Sequence, residues 1–279
     1  MKKVLGIALL TIIVGVVLTV VGFFMSDGTN VDLFNRPEYS LTELSYEADE
    51  IDDMIMYFGN RAVEIYPSES GLIEIKYYEA ENDWVDVTVE STSLELINRT
   101  KWYLGINFGF WGIGQTNYFK VLIYIPAGLI NYDLDITTSN GAIDLSDLTN
   151  LNDVDLNSSN GAIKIENAEV KGALKAITSN GKIIFTEVIA LESINVHTSN
   201  GEIDLSNITT NDLKAQTSNG PINVDILGNY DDYRIELDTS NGSTYIDGDE
   251  KNDSVYNPSI DNVIELDTSN GTIRLNFIQ

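Results

Sequence analysis

Cysteine is absent from the 279 residues, and histidine occurs once, as His197. The missing thiols exclude disulfide bonds and thiolate metal ligands, so backbone ladders and an apolar core must hold the fold together. Basic residues are scarce, because 16 Lys and Arg stand against 43 Asp and Glu, and the formal net charge is −27. Such a surface repels polyanions, and we expect no nucleic-acid partner.

One long uncharged run follows Lys3 and extends over the 22 residues from Val4 to Met25. As a helix it would span roughly 33 Å, enough to cross the apolar core of a bilayer. A secretory signal peptide is the alternative, but its apolar region is shorter and ends at small residues, whereas this run ends Gly-Phe-Phe-Met-Ser-Asp. We predict an uncleaved transmembrane anchor at residues 1–25 with Lys2 and Lys3 inside the cell.

The remainder of the chain is predicted to lie outside the cell. We assign residues 26–43, which are rich in Asn, Asp and Gly, to a linker. Residues 44–279 follow as one extracytoplasmic domain, with regular repeats over 131–279, because the composition does not change near Pro126. The expected localisation is the cell membrane, with a single pass, the N-terminus inside and the C-terminal domain outside.

A four-residue motif, Thr or Ser followed by Ser-Asn-Gly, occurs seven times. Its serines are Ser139, Ser159, Ser179, Ser199, Ser218, Ser240 and Ser269. The intervals between them are 20, 20, 20, 19, 22 and 29 residues. A repeat of this length is typical of a solenoid, in which each unit covers the apolar side of the next. The segment from Phe58 to Ile65 has the form of a worn eighth copy.

Apolar and polar residues alternate on both sides of each motif, which predicts a strand, a turn and a second strand. Asn-Gly between strands is also a hairpin signal, and seven hairpins would form a propeller or a meander. However, a second polar turn and an inward apolar residue lead from each motif into the next, as in Ser146-Asp147-Leu148. This favours an all-β fold, a parallel β-solenoid of about 20-residue coils preceded by one N-terminal transmembrane helix.

The Asn-Gly pairs are predicted to form one corner of each coil. We expect the asparagines to stack in a hydrogen-bonded ladder and each glycine to take the left-handed backbone conformation. A residue that recurs seven times is typical of architecture, whereas catalysis needs one special copy. The predicted structural turns are Asn140, Gly141, Asn160, Gly161, Asn180, Gly181, Asn200, Gly201, Asn219, Gly220, Asn241, Gly242, Asn270 and Gly271.

An aromatic, glycine-spaced segment without any acid lies between Lys101 and Phe119. In so acidic a chain it is a candidate contact surface for an envelope protein, a glycan or the bilayer, and the alternative is a cap over the first coil. At the other end we expect the segment from Arg274 to Gln279 to be an open edge strand, which allows end-to-end self-association. The candidate interaction loop consists of Trp102, Tyr103, Phe108, Phe110, Trp111 and Tyr118.

Carboxylates are the remaining candidates for chemistry. A polysaccharide lyase or hydrolase needs two or three acids close together, and Asp135 and Asp155 are predicted to be neighbours. The outward columns nevertheless mix acids with Lys and Asn, as a solvated face does, and His197 belongs to such a column. Calcium is the only cofactor considered, because the segment from Asp247 to Asp253 and the cluster of Asp225, Asp231 and Asp232 offer oxygen ligands. Neither has the spacing of a calcium loop, so no metal or cofactor site is assigned.

These features together resemble a known group of bacterial proteins. The segments are Val63-Glu64-Ile65-Tyr66-Pro67-Ser68, Ile123-Tyr124-Ile125-Pro126 and the serial T-S-N-G-x-I-x-L repeats. With the charged start and single anchor, they resemble the bacterial β-strand-repeat family of adhesin-like proteins, a domain of unknown function with LiaG-like members, over residues 44–279. The resemblance implies a cell-surface domain, in some members anchored and accompanying envelope-stress systems, and no catalytic residues.

We therefore expect a non-enzymatic, membrane-anchored protein of the bacterial cell envelope. Its extracellular β-repeat domain would present an interaction surface, either as an adhesin or as an envelope-stress accessory. The expected partners are the membrane and an envelope protein or glycan. A polysaccharide-active β-helix enzyme, a lyase or a hydrolase, is the alternative.

Overall fold

The computed structural model describes residues 38–101, 119–127, 131–252 and 254–278. The predicted anchor, most of the predicted linker and the candidate interaction loop lie outside the described residues. No helix within the described ranges is long and apolar enough to cross a membrane. The described residues form twenty β-strands that belong to one hydrogen-bonded network. The all-β prediction is confirmed.

The strands alternate with short turns throughout the described chain. The first strand begins at Ser40, inside the segment predicted to be a linker. In chain order the strands are β1 (Ser40–Glu47), β2 (Asp53–Phe58), β3 (Ala62–Ser68), β4 (Leu72–Glu79), β5 (Asp83–Glu90), β6 (Ser93–Thr100), β7 (Lys120–Pro126), β8 (Tyr132–Thr138), β9 (Ile143–Ser158), β10 (Ile163–Val170), β11 (Ala173–Thr178), β12 (Ile183–Thr198), β13 (Ile203–Thr217), β14 (Ile222–Leu227), β15 (Arg234–Thr239), β16 (Thr244–Ile246), β17 (Asp249–Lys251), β18 (Val255–Tyr256), β19 (Val263–Thr268) and β20 (Ile273–Ile278).

Each coil contains one strand that enters the Asn-Gly corner and one that leaves it. In the first regular coil these are β8 and the beginning of β9, and the rest of β9 already belongs to the next coil. Equivalent strands of successive coils pair in parallel, so that Ile163 lies opposite both Ile143 and Ile183. The register therefore advances by one repeat per coil, which is the stacking expected of a β-solenoid.

The last two coils do not stack in the order of the sequence. β19 pairs with both β13 and β15, and β20 pairs with both β14 and β16. The coil of β19 and β20 is thus inserted between two coils that precede it in the chain. The prediction that the segment from Arg274 onward is an open edge strand is wrong for Arg274 and Leu275, which pair on both edges, whereas Asn276 to Ile278 pair with β14 alone.

Strand length explains this insertion. β14 and β20 have six residues each and pair over all six, whereas β16 has three residues and then turns at Asp247. If the coils followed sequence order, the second half of β14 would face the short β16 and lose its partners. Unpaired buried backbone groups are costly, so the longer coil lies inside and the shorter coil lies at the end.

Antiparallel strands flank the parallel stack at both ends. At the C-terminal end, β17 pairs with β16 and β18 pairs with β15. At the N-terminal end, β7, β4 and β1 extend the stack beyond β3, while β6 and β5 extend it beyond β2. The acidic segment that begins at Asp247 is therefore mostly a capping hairpin.

Branched aliphatic side chains fill the interior of the stack. Ile143, Leu145 and Leu156 are completely buried, as are their counterparts in the following coils. Full burial of one such side chain stabilises the folded state by roughly 1.5–3 kcal/mol. In a chain without disulfides, this repeated contribution and the backbone ladders hold the coils in register.

Candidate functional site

The asparagines of the corners form one continuous ladder on the surface. Each Nδ2 donates to the Oδ1 of the asparagine in the preceding coil, with N···O distances of 2.5–3.0 Å. The predicted ladder is present, and the worn copy near Phe58 supplies its first member. In stacking order the members are Asn60, Asn140, Asn160, Asn180, Asn200, Asn219, Asn270 and Asn241, all of them exposed.

A second ladder of hydroxyl groups lies beneath the first. The buried Thr178 Oγ1 donates to the carbonyl of Gly161 at 3.1 Å and accepts from the N–H of Gly181 at 3.2 Å. Ser158 and Thr198 make the same two contacts in their own coils. A hydroxyl that is hydrogen-bonded to the backbone through both its proton and a lone pair is poorly placed to act as a nucleophile. This part of the motif is architecture.

The motif glycines are needed for close approach between coils. A Cβ placed on Gly161 would lie 1.7 Å from the carbonyl oxygen of Gly141, and the other motif glycines are similarly crowded. The prediction that these glycines are left-handed is wrong, since among the described glycines only Gly228 and Gly248 have positive φ. Five of the residues with left-handed φ form the second corner of the coils, and they are Asp147, Asn167, Glu187, Asn207 and Asp247. Ser91 and Asn257 are left-handed elsewhere in the chain.

The first face of the solenoid is formed by the strands that enter the Asn-Gly corners. Its outward columns alternate acids with amides and lysines, and the lysines pair with acids of adjacent coils. Lys175 Nζ lies 2.7 Å from Asp155, and Lys214 Nζ lies 2.8 Å from Glu265. His197 lies half-buried in the neighbouring column. Much of the negative charge on the column of Asp155 is thus neutralised by lysines of the same column in adjacent coils.

Two carboxyl groups of the first face have altered acidity. Burial raises the pKa of Asp135, and the nearby Asp155 and Asp53 raise it further. Burial also raises the pKa of Asp267, with added repulsion from Asp238 and Glu265. Both groups are only partly buried, so water screens much of the repulsion. A raised carboxyl pKa is the property that a general acid requires, and these two positions are therefore the candidates for acid chemistry.

The second face is formed by the strands that leave the corners, and it carries an aromatic pair at its N-terminal end. Tyr66 and Tyr124 lie opposite each other on β3 and β7, with ring centroids 6.1 Å apart. The hydroxyl of Tyr66 donates to Glu64 at 3.2 Å, and Glu64 also pairs with Lys120. Burial and the charge of Glu64 raise the pKa of Tyr66 to about 12. Lys76 covers the ring of Tyr124 at 5.5 Å.

The third face follows the left-handed corner, and part of its surface is apolar. Ile189 lies opposite Thr209 on β12 and β13. Ile189 and Leu191 are 39% and 50% exposed, and Leu227 on β14 is 41% exposed. This face therefore differs in chemistry from the two charged faces.

A buried ion pair closes the first coil. Arg61 occupies the corner position that glycine holds in the regular coils, and it is 1% exposed. Its Nη1 donates to the carbonyl of Tyr78 at 2.7 Å, and its Nη2 lies 3.0 Å from Asp83. Asp83 also accepts from Asn98 at 2.8 Å. The described neighbour of β3 on the side away from β9 is β7.

Two of the acids considered as calcium ligands make hydrogen bonds within the fold. Asp225 accepts from Asn276 at 2.8 Å, and Asp247 accepts from the N–H of Phe277 at 2.8 Å. Across the part of the chain that the structure describes, no three His, Asp or Glu side chains are grouped so that they could hold a metal ion. An open groove of about 440 Å³ lies beside β1 and is lined by Glu38, Ser40, Glu79, Ala80, Glu81 and Trp84, with acids but no base.

A family model, Toastrack DUF4097, matches residues 51–261 of the chain. No curated protein is detectably similar. Among crystal structures, a "putative adhesin" from Bacteroides fragilis NCTC 9343 is 16% identical with a TM-score of 0.52, covering 87% of this chain and 99% of that one. A "putative cell adhesion protein" from Clostridium sporogenes ATCC 15579 is 14% identical with a TM-score of 0.37, covering 87% of this chain and 100% of that one.

A third crystal structure is a "putative lipid binding protein" from Parabacteroides distasonis ATCC 8503. It is 13% identical with a TM-score of 0.38, covering 87% of this chain and 97% of that one. At such identities a likeness concerns the fold alone, and of these three structures the Bacteroides fragilis one is similar enough to carry that argument. The family model covers most of the coils described above, and the chain accordingly belongs to the Toastrack DUF4097 family.

Proposed function

We propose that this protein is a non-enzymatic, membrane-anchored extracytoplasmic protein that presents an interaction surface, as an adhesin or an envelope-stress accessory. The observation that carries the proposal is the pairing of outward charges between coils, as in Asp155 with Lys175 and Glu265 with Lys214. These carboxylates are held along flat faces by their neighbours, whereas hydrolysis requires acids that converge on a substrate. A regular stack of this kind suits the display of a large contact area.

Membrane anchoring is supported by the uncharged run from Val4 to Met25 and by the two lysines before it. Protease added to intact cells, after removal of any wall, is expected to degrade the β-domain. After disruption of the membrane, we expect the protease to reach only one further part of the chain, the short N-terminal segment. A domain that is protected in intact cells would contradict the proposed location.

The contact surface can be mapped by placing a photo-crosslinking amino acid on each face in the native cells. Suitable positions are Asn195 on the first face, Asp204 on the second and Thr209 on the third, because all three side chains point outward from adjacent coils. We expect adducts of defined mass from one face and not from the other two. Equal labelling of the three faces, or none at any position, would contradict a dedicated contact surface.

The aromatic segment at residues 102–118 is a second proposed contact, and the sequence alone supports it. Deletion of residues 102–117 is expected to abolish the crosslinked adduct while the repeat domain keeps its unfolding midpoint. An adduct that survives the deletion would assign the partner to a solenoid face.

The raised pKa values of Asp135 and Asp267 favour the alternative, a polysaccharide-active enzyme. Wall and capsular glycans incubated with the protein are expected to yield no new reducing ends and no unsaturated sugars. Asp135→Asn and Asp267→Asn are the test variants, and Asp204→Asn on the second face is the matched control. The proposal would be wrong if the parent protein cleaves a glycan, if either test variant loses this activity and if the control variant retains it. The protein would then be a polysaccharide-active enzyme.

A further inference from the structure

The inserted coil, formed by β19 and β20, occupies a slot between the coil of β13 and β14 and the coil of β15 and β16. Four strands of the same chain face this slot. The coils from β8 to β14 are placed by stacking on the coil that precedes them in the sequence. The inserted coil instead joins two coils that are already connected to each other through residues 228–233, and its own tether is the segment of residues 257–262.

The corner contacts make the slot specific for a Thr-Ser-Asn-Gly coil. Asn270 donates to Asn219 at 3.0 Å and accepts from Asn241 at 2.9 Å. Thr268 Oγ1 donates to the carbonyl of Gly220 at 3.0 Å. A Cβ on Gly271 would lie 2.0 Å from that same carbonyl oxygen, so the slot requires glycine at this corner.

Other contacts select this coil over the remaining repeats. Asn276 donates to Asp225 at 2.8 Å. Phe277 packs against Tyr230 and Tyr233, with ring centroids 5.8 and 6.1 Å away. The slot and the inserted coil are therefore matched in backbone register, hydrogen bonds and shape.

Each of these contacts would be the same if the inserted coil came from another molecule. Only the tether favours the coil of the same chain, through its high effective concentration. Asn257 holds the start of the tether, because its Nδ2 donates to the carbonyls of Tyr230 and Tyr233 at 2.9 and 3.1 Å. Pro258, Ser259 and Asp261 of the tether are exposed.

We propose that this slot is a strand-acceptor site whose second ligand is the inserted coil of another copy, so that neighbouring copies exchange their coils and become linked. Exchange of an identical element is a low-cost route to self-association, and it becomes favourable when the local concentration of copies rivals the effect of the tether. The inference needs only the described coils and does not depend on the proposed external partner.

The absence of native cysteine allows a direct test in the full-length protein. Asn223 and Arg274 are directly opposite each other on β14 and β20 and point outward. Adjacent strands lie roughly 4.8 Å apart, which is within the range that a disulfide bridges. One copy carries Asn223→Cys and the other carries Arg274→Cys, and a mild oxidant is added to the co-expressed pair. An interchain disulfide then forms wherever coils have been exchanged.

The matched control uses Asp144→Cys in one copy and Lys164→Cys in the other, because these residues are opposite each other in coils that follow sequence order. We expect interchain disulfide from the Asn223 and Arg274 pair to exceed the control by at least an order of magnitude. Asn257→Ala is expected to increase it further by releasing the tether. A further control is the double variant that carries Asn223→Cys and Arg274→Cys in one chain. It must form an intrachain disulfide, which shows that the coil occupies its slot.

Equal interchain disulfide from the test and control pairs would mean that copies merely collide, and it would overturn the proposal. No interchain disulfide from the test pair, even with Asn257→Ala and with an efficient intrachain disulfide, would overturn it as well.

Discussion

Replacement of Gly181 by alanine tests whether close approach between coils is the reason for glycine at the corners. The new Cβ would lie 2.0 Å from the carbonyl oxygen of Gly161, whereas ordinary contact begins at 3.4 Å. The atom in the way belongs to the backbone of the preceding coil, so no side chain can move aside. The two coils must separate by more than an ångström at this corner.

The cost follows from the contacts that such a separation stretches. Thr178 Oγ1 donates to Gly161 at 3.1 Å, and Asn180 donates to Asn160 at 2.7 Å. Loss of two such hydrogen bonds, at about 1 kcal/mol each, adds to an overpacking strain of about 1–3 kcal/mol. We expect Gly181→Ala to lower the free energy of unfolding by about 3–5 kcal/mol.

Urea unfolding followed by circular dichroism measures this difference, and Gly71→Ala is the matched control. A Cβ on Gly71 meets nothing within 4 Å. The control is expected to change the free energy of unfolding by less than about 0.5 kcal/mol. If Gly181→Ala is as stable as Gly71→Ala, close approach is not the reason for glycine. If Gly181→Asn is more stable than Gly181→Ala, glycine is required for a left-handed backbone and not for close approach. Asparagine tolerates the left-handed conformation, whereas its larger side chain would fit a crowded corner no better than alanine.

Other perturbations test further parts of the structure. Asn180→Ala interrupts the ladder at two hydrogen bonds and is expected to lower the free energy of unfolding by about 1–2 kcal/mol in urea titrations. Arg61→Met leaves Asp83 buried without its cation and is expected to cost about 3–5 kcal/mol, part of which the double variant with Asp83→Asn recovers. The folded-state pKa values of Asp135 and Asp267 are raised, so ionisation of either group opposes folding. Each Asp→Asn variant is therefore expected to raise the melting temperature at pH 7, and this advantage is expected to vanish as the pH falls below the folded-state pKa.

The corner ladder is the part of the fold that the sequence predicts best. Asparagines that recur at a constant interval must stack when the coils stack, so the contact between Asn160 and Asn140 follows from the spacing alone. The conformation of the glycines could not be obtained in the same way. Asn-Gly is compatible with both a left-handed turn and a close contact. The φ values of the motif glycines exclude the left-handed turn, and the short distance from Gly161 to Gly141 shows the close contact.

The order of the last coils could not be predicted because the repeats are interchangeable. Lys214 meets a glutamate in either order, since Glu236 and Glu265 occupy the same column. The difference depends on the three residues of β16 and on the pairing of Asp225 with Asn276, and neither is part of the repeated motif. The residues that break the pattern determine the stacking order.

For the candidate site, the sequence indicated that the outward acids and lysines are mixed, and the structure adds which of them are paired. The raised pKa of Asp135 follows from its burial and from the acids of two neighbouring coils, and this depends on coordinates in three dimensions. The apolar side chains of Ile189 and Leu191 are exposed. The residues opposite Ile189 in the neighbouring coils, Glu169 and Thr209, are polar. The exposure of Ile189 and Leu191 depends on where the second corner turns.

The inserted coil also affects how the stack responds to mechanical force. In a solenoid that follows sequence order, tension on the final strands peels the outermost coil from a single neighbour. Here tension on β20 must rupture its bonds to β14 and to β16 together, because both ladders are loaded in parallel. The inserted coil thus acts as a shear clamp, and stretching in a force spectrometer is expected to show one high first rupture instead of a series of small steps.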